Sequence, residues 1–469
     1  MKDINVLYLN THDIGRYLET YGYPVNTPNL LELSRDGMAF SNMYCASPTC
    51  SPSRGALLTG QYPHSNGLVG LSHRGFCIDG RHHLAAFLKG LGYETVISGV
   101  QHEVKLHEEE TIGYERCLNP EEYYRKDMEQ CDLYTWQDEL AAANAIRFLK
   151  SRNKEERPFF LAVGFGCTHR EYPRVPEDYE TDYVQVPKAI PNLPETRKDM
   201  AAMKIAVHTV DRLCGDILKA LKEVGEYDKT LIIFTTDHGL PFPMMKCSLY
   251  DDGAGISFLM RYPGMAGRHR ISDALLSNTD VFPTICQILG VEKPEWVEGR
   301  SFLPVIEGEA EEVQDEIFGE INFHVAYHPA RCVRTRRYKY IARWDNGYKK
   351  SPPADTDDSL SKEVFLKGGY YEKEVKKEEL YDLLLDPQER DNLAEQQEYR
   401  EVLENMRERL SSWQAKTGDP LLSEGRIRLP EGAICATPES PSTRQQTMLP
   451  ECEKYVEALK GILQNKIGQ

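Results

Sequence analysis

Cys50-Ser51-Pro52-Ser53-Arg54-Gly55-Ala56-Leu57-Leu58-Thr59-Gly60 reads as the opening of a short helix. Ser51 or Cys50 can cap it, Pro52 suits its first turn and Gly60 its stop. Cys50 then lies where free backbone N–H groups and the helix dipole favour negative charge. Such a place lowers a thiol pKa and suits an anionic nucleophile. Arg54 follows one turn later on the same face, so its guanidinium can hold that nucleophile or a developing oxyanion. A plain capped helix burying a cysteine uses the same local chemistry, and the neighbouring segments must decide between the two.

Upstream, residues 4–9 form an apolar run that reads as a buried strand, ending in the polar cluster Asn10-Thr11-His12-Asp13. Thr27-Pro28 opens a helix that Gly37 stops. Downstream, helices are expected over 82–90, 135–151 and 195–224, the last stopped by Gly225, with strands over 94–98, 158–165 and 229–235. The strand over 229–235 runs into Thr236-Asp237-His238-Gly239. This alternation predicts an α/β fold with a large, mostly parallel central sheet flanked by helices. In such sheets ligand sites collect at the carboxyl ends of strands, where both polar clusters fall. After about Gly308 the pattern changes. Strands in hairpin style are expected over 317–323 and 331–343, then a polar irregular stretch over 346–377, a strand over 380–385 and a helix over 398–414. The final stretch is Pro-rich and then helical. We read residues 1–308 as the catalytic domain and 309–469 as a smaller C-terminal α+β subdomain with an extended tail.

The chain of 469 residues carries a formal charge of −17. That argues against a general nucleic-acid binder, and it requires any anionic substrate to be held in a local cationic pocket. No apolar run has the length of a membrane span. The chain enters its first strand almost at once, so a cytoplasmic location is expected. The 12 cysteines are scattered and expected to be free thiols.

The string from Cys50 to Gly60 matches every fixed position of C-x-P-S-R-x-x-L-x-T-G, and in this it resembles the sulfatase family of the alkaline-phosphatase-like superfamily. The resemblance implies that a maturating enzyme oxidises Cys50 to formylglycine. The hydrated aldehyde would attack sulfur, and its second hydroxyl would then expel sulfate. It also implies a divalent metal, expected to be calcium, held by Asp13, Asp237, His238, residue 50 and His12. His12 stands where the family usually has another Asp, and the imidazole makes manganese or zinc more suitable than a pure carboxylate site would. His102, in Gly99-Val100-Gln101-His102, matches the family's Gly-Lys-x-His with Val100 in place of the lysine; Lys105 is the nearest substitute cation. His169, in Cys167-Thr168-His169-Arg170, and Lys246, after Pro241-Phe242-Pro243, match residues that contact the sulfo group. Taken singly, His169 would be a satisfied structural histidine and Lys246 a solvated lysine. The resemblance makes Cys50, Arg54, His102, His169 and Lys246 the catalytic set, with a general acid among the last three.

Among sulfatases, the likeness is to the heparan N-sulfatase group, through residues 60–68, His169-Arg170, residues 237–243 and Tyr327-His328-Pro329-Ala330-Arg331. This implies a small N- or O-sulfated amino sugar as substrate, with Arg170, His324, His328 and Arg331 as pocket candidates. Two other readings stand beside it. One is a phosphonate or phosphate ester hydrolase on the same scaffold, motivated by Val100. The other is a non-catalytic sulfated-glycan binder, motivated by Val100 and His12. A homodimer is expected only because it is the commonest closed oligomer.

Overall fold

The computed structural model describes residues 4–152, 157–345 and 347–456. Eight strands build the main sheet: β1 (Asn5–Thr11), β2 (Met38–Phe40), β3 (Glu94–Gly99), β4 (Arg116–Cys117), β5 (Phe159–Gly164), β6 (Thr230–Thr236), β7 (Phe258–Arg261) and β8 (Arg270–Ser272). Their order is β4-β3-β5-β1-β6-β7-β2-β8, and only β7 runs against the rest. β1 is buried along its whole length, because a parallel sheet is covered on both faces. Its side chains alternate. Leu7 and Leu9 enter one core and Val6 and Tyr8 the other, as the two-residue period requires.

The first core is closed by helices α1 (Pro28–Asp36), α3 (Gln130–Ser151) and α4 (Pro194–Glu223); the second by α2 (Cys50–Thr59) and α5 (Val281–Leu289). α4 starts with a proline and buries Met203, Ala206, Val207, Val210, Leu213 and Ile217 at helical spacing. It is the helix expected over 195–224.

A second, antiparallel sheet contains β9 (Glu316–Phe323), β10 (Tyr327–Thr335), β11 (Tyr338–Arg343) and β12 (Glu378–Asp382) in sequence order. The helix α7 (Arg400–Thr417) covers it, with Leu403, Met406, Leu410 and Trp413 against Val333, Tyr340 and Leu380. Two local expectations change. Residues 331–343 are the parts of two strands, not one. The turn at Arg336-Arg337 carries no Gly, Asn or Pro, and is closed instead by Thr335, whose Oγ1 accepts from Tyr338 N at 3.0 Å. The polar stretch 346–377 holds a helix, α6 (Leu360–Lys367), capped by the Ser359 hydroxyl, which accepts from Lys362 N at 3.0 Å. The expected final helix falls mostly outside the described residues.

The second sheet is fastened to the side of the first sheet that carries α2. Glu320 N donates to Ala46 O at 2.8 Å and Phe323 N to Val69 O at 3.0 Å. Between them lies a buried ionic network. Arg331 is fully buried, not on a substrate pocket, and donates to Asp419 from Nε at 2.7 Å and Nη2 at 2.9 Å. Glu320 accepts from His64 N at 2.7 Å and pairs with the His64 ring. Burial disfavours the His64 cation, but Glu320 more than offsets this and holds its pKa above the usual value. Burial likewise opposes the Glu320 carboxylate, yet His64 and Arg331 hold its pKa down.

Removing one partner of such a network leaves a buried charge uncompensated. Asp419→Ala is therefore expected to cost about 3–5 kcal/mol in denaturant unfolding. The His64 contribution is full below its ordinary 6.5 and lost as pH rises through the higher folded value. The Glu320 contribution is full above its ordinary 4.5 and lost as pH falls through the lower folded value. Stability should plateau between these values. His64→Gln should abolish the alkaline decline that His64 causes while the acid decline persists; an unchanged alkaline limb would assign it elsewhere.

Candidate active site

β1 and β6 are adjacent and parallel, with Thr11 paired to Thr236. That register places His12-Asp13 directly beside Asp237-His238 where both strands end. Asp13 then turns with φ of +53°, a left-handed conformation uncommon outside glycine, and its N–H donates to Asp237 Oδ1 at 2.9 Å. The His12 N–H donates to Thr168 Oγ1 at 3.2 Å.

α2 points its first turn at this junction. Thr49 is its N-cap and Cys50 its first helical residue, and no side chain caps it. Neither Cys50 nor Ser51 is the cap that the sequence suggests, so the free N–H groups of the first turn remain directed at the site. Arg54 clamps the helix to both strands. Its Nε donates to Asp237 Oδ2 at 3.3 Å, one Nη to Thr11 O at 3.2 Å and the other to the Asn10 side chain. Asn278 holds the helix from behind, donating to Ser53 O at 2.9 Å.

Ligand atoms of His12, Asp13, Cys50 and Asp237 all lie within 4.8 Å of one another, and all four residues are buried. His12 Nδ1 stands 3.0 Å from Asp237 Oδ2. His238 Nε2 stands 3.2 Å from Asp13 Oδ1 and 3.3 Å from Cys50 Sγ. Despite these approaches, Asp13 Oδ1 and His12 Nδ1 have no directed hydrogen-bond partner among the described residues. Buried polar atoms left in this way are costly, and two carboxylates converging with an imidazole fit a divalent cation. The mixed oxygen and nitrogen set suits manganese or zinc as well as calcium.

On the other side of Cys50 lies a cationic wall. Lys246 is buried, and its ammonium donates to Asp13 Oδ2 at 3.1 Å, Asp357 Oδ2 at 2.8 Å and His169 Nε2 at 3.4 Å. The Nδ1 of His169 meets Arg170 O at 2.7 Å. A carbonyl only accepts, so the proton is on Nδ1 and Nε2 faces the site. The His102 ring lies 4.7 Å from that of His12. Burial pushes the Cys50 thiol up, but Lys246, His238, His102 and His12 outweigh it and hold its pKa well below the usual value. Burial also opposes charge on His238, yet Asp237 and Asp13 lift it to about 9. His324 faces Cys50 and Cys247 and stands 3.6 Å from Asp355.

Two pocket candidates, Arg331 and Arg170, are taken up by carboxylates, and a third, His328, lies beyond Lys246. Arg331 belongs to the ionic network described above. Arg170 is locked in a two-pronged pair with Asp199, at 2.5 and 2.9 Å, and stacked on Tyr172 and Phe242. It anchors the His169 loop. His328 is half-buried and lines a small cavity of about 60 Å³ together with Asp355 and Lys246, and desolvation lowers its pKa to about 4. Among the described residues the Lys105 side chain has no hydrogen bond or ion pair with the site, and its carbonyl accepts from Gln101 Nε2 at 3.2 Å. Its place near His102 is taken by Glu103, a buried carboxylate that faces Arg54 and His12. Asp357, Glu103, Asn10 and Thr168 were not anticipated. Asn10 and Thr168 had a signal, the one in the polar cluster ending β1 and the other in the segment Cys167-Thr168-His169-Arg170.

Comparison with known proteins agrees with this geometry. The sulfatase family model matches residues 4–291, and the model of the N-sulphoglucosamine sulphohydrolase C-terminal region matches residues 241–350. The chain belongs to the sulfatase family. It is 29% identical to human N-sulphoglucosamine sulphohydrolase, over 89% of this chain and 91% of that protein. It is also 29% identical to an ulvan-active sulfatase of Formosa agariphila, over 87% and 78% respectively. Among solved structures, a protein in complex with its substrate D-glucosamine-2-N,6-O-disulfate superposes with a TM-score of 0.67 at 20% identity, covering 90% of this chain and all of that one. The phosphonate monoester hydrolase of Agrobacterium radiobacter gives 0.66 at 22%, covering 92% and 99%.

Because Arg54 orients Asp237, Arg54→Ala is expected to weaken divalent-metal affinity about 10–100-fold. Calorimetric titration of chelator-stripped protein with Ca²⁺ and with Mn²⁺ measures this. His12→Asp should move the preference toward Ca²⁺. Variant affinities equal to the parent's would remove these residues from the metal cage.

Proposed function

We propose that this sulfatase hydrolyses the sulfate ester or sulfamate of a small sulfated amino sugar, with residue 50 as nucleophile. The observation that carries the reading is the setting of Cys50: at the open N-terminus of α2, 3.3 Å from His238 and between a carboxylate cage and the Lys246 ammonium. Likeness to N-sulphoglucosamine sulphohydrolase over nearly the whole chain supports an amino sugar as substrate. Oxidised to formylglycine, residue 50 would supply a hydrated aldehyde oxygen as nucleophile. His12, Asp13, Asp237 and His238 would hold a divalent cation there, which lowers the cost of ionising that oxygen.

The chain's own residues do the rest. Lys246 and the first-turn N–H groups of α2 face the place where a sulfo group must sit, and they offset its charge in a protein whose overall field is negative. His169 is oriented by its Nδ1 proton on Arg170 O, so that Nε2 faces the site and accepts from Lys246; once Nε2 takes up a proton, the imidazolium can deliver it to the departing amine or alcohol. His102, beside His12, is placed to hold the hydroxyl of residue 50. Arg54 keeps Asp237 and α2 in register.

A peptide mass spectrum across Cys50, on protein from a host with a sulfatase-maturating enzyme, should show conversion of thiol to aldehyde. N-sulfoglucosamine should be turned over, and Cys50→Ala should reduce kcat at least about 10⁴-fold. Strong turnover of an aryl phosphonate with none of any sulfate would instead favour the phosphonate reading, which the likeness to phosphonate monoester hydrolase keeps open. An unmodified cysteine with sugar binding but no turnover would leave a glycan binder.

A further inference from the structure

Most buried guanidinium groups among the described residues are paired, and Arg16, which is not, lies against the Tyr44 ring near Asp251. Arg54, Arg170, Arg261, Arg331 and Arg334 each meet a carboxylate. Arg74 does not. It is 2% exposed and has no ion pair among the described residues. Its Nη2 donates to Gln446 Oε1 at 2.6 Å, while Nε and Nη1 have no hydrogen-bond partner. An ionised group in that state is among the most costly a fold can bury. Burial lowers its pKa accordingly.

Its place connects it with the catalytic pocket. Arg74 ends a short turn, Ser72–Arg74, whose first N–H donates to Ser51 Oγ at 3.1 Å, next to Cys50. The ring of His73 lies 6.3 Å from His102, which packs on His12. Gln446 is half-buried, and the guanidinium beneath it is enclosed, with Cys435, Cys452 and the Asp355 carboxylate as its charged or polarisable surroundings. Gln446 belongs to a tail segment that also carries Arg444, and Arg444 pairs with Glu171 beside the His169 loop. The tail thus spans from Arg74 to the opposite edge of the site.

We infer that Arg74, assisted by Gln446, is a specificity-determining residue that binds a second anionic group of the substrate, a carboxylate or further sulfo group apart from the one cleaved. The inference rests on the proposed sulfated-sugar hydrolysis. An oxyanion there would satisfy the two open donors and give the guanidinium a directly bonded anion, which Asp355, acting on it only through space, does not provide. It would also make an additional negative charge on the sugar an advantage, despite the protein's overall charge of −17.

The test compares three sugars: N-sulfoglucosamine, its 6-O-sulfated form, and a disaccharide joining N-sulfoglucosamine to a uronic acid. For Arg74→Ala, the kcat/KM preference for a doubly anionic sugar over N-sulfoglucosamine should fall about tenfold or more, chiefly through KM. Arg74→Lys should retain part of the preference. The sugar whose advantage is lost identifies the group bound, sulfo or carboxylate. Gln446→Glu guards against a misfolded variant: it places a carboxylate on the guanidinium, and should raise Tm while lowering the same preference. A higher Tm with the preference unmoved would make Arg74 a structural residue and overturn the inference, as would equal losses on all three sugars. Calorimetric binding of the same sugars to Cys50→Ser protein decides the matter independently of turnover. If the parent hydrolyses none of them, the functional reading fails, and an Arg74-dependent gain in binding from the second anion still upholds the site. Binding that ignores Arg74, or no binding at all, overturns it.

Discussion

The parallel pairing of β1 with β6 is the constraint on which the site depends. With Thr11 beside Thr236, two strand ends release their polar residues at the same level, and His12-Asp13 meets Asp237-His238. A slip of one residue would turn each side chain to the opposite face and take the carboxylates apart. The pairing resists such a slip because both faces of β1 are buried in separate cores. The hydrophobic alternation of a seven-residue strand therefore fixes a cluster of charges at its end. Arg54 completes the arrangement. One guanidinium touches β1 through Asn10 and Thr11 and β6 through Asp237, so the helix bearing residue 50 cannot shift without breaking contacts to both strands.

The charges so gathered are tolerable only as a balanced set. Asp13, Asp237 and Asp357 are opposed by Arg54, Lys246 and the two histidines His12 and His238. Lys246 is the pivot, since its ammonium lies between Asp13 and Asp357. On the proposed function, a sulfo group arriving there competes with a carboxylate already in contact. That competition favours a ligand whose remaining groups bring their own hydrogen bonds, and it disfavours simple anions that offer charge alone.

Much of this was legible in the sequence because it follows from period and motif. The buried strands at 4–9 and 229–235 and the long amphipathic helix announce themselves by spacing, and each carries its polar cluster at the expected end. The segment from Cys50 to Gly60 gives the proposed nucleophile, the Arg54 clamp and the helix together. What was not legible has a common cause. Asp357 lies in a polar stretch with no period, and it reaches Lys246 only because the second sheet docks beside Ala46 and Val69. Arg331 and Arg170 were read as pocket residues because an arginine near a motif looks available. Their partners, Asp419 and Asp199, are distant in sequence, and local reasoning had no means to find them. The arginine turn between β10 and β11 escaped for a related reason, its closure coming from a threonine hydroxyl rather than a turn-forming residue.

The division between the two parts of the chain has a functional meaning. The cage, Cys50, Arg54 and the His169 loop all come from the large sheet and its helices, within the residues that match the sulfatase family. The surrounding groups Asp357, His324, Asp355 and Gln446 come from connections and tail of the second part. They are held by the ionic network of His64, Glu320, Arg331 and Asp419, which ties β9 and β10 to the segment following α2. Chemistry common to the family can thus be kept rigid on strand ends, while the groups that meet the rest of a substrate sit on segments free to change. A buried guanidinium with no ion pair among the described residues, at the seam between these two parts, is where such a division would leave a recognition group: its position is fixed by the turn after α2, and the side chain hydrogen-bonded to it among the described residues comes from the tail.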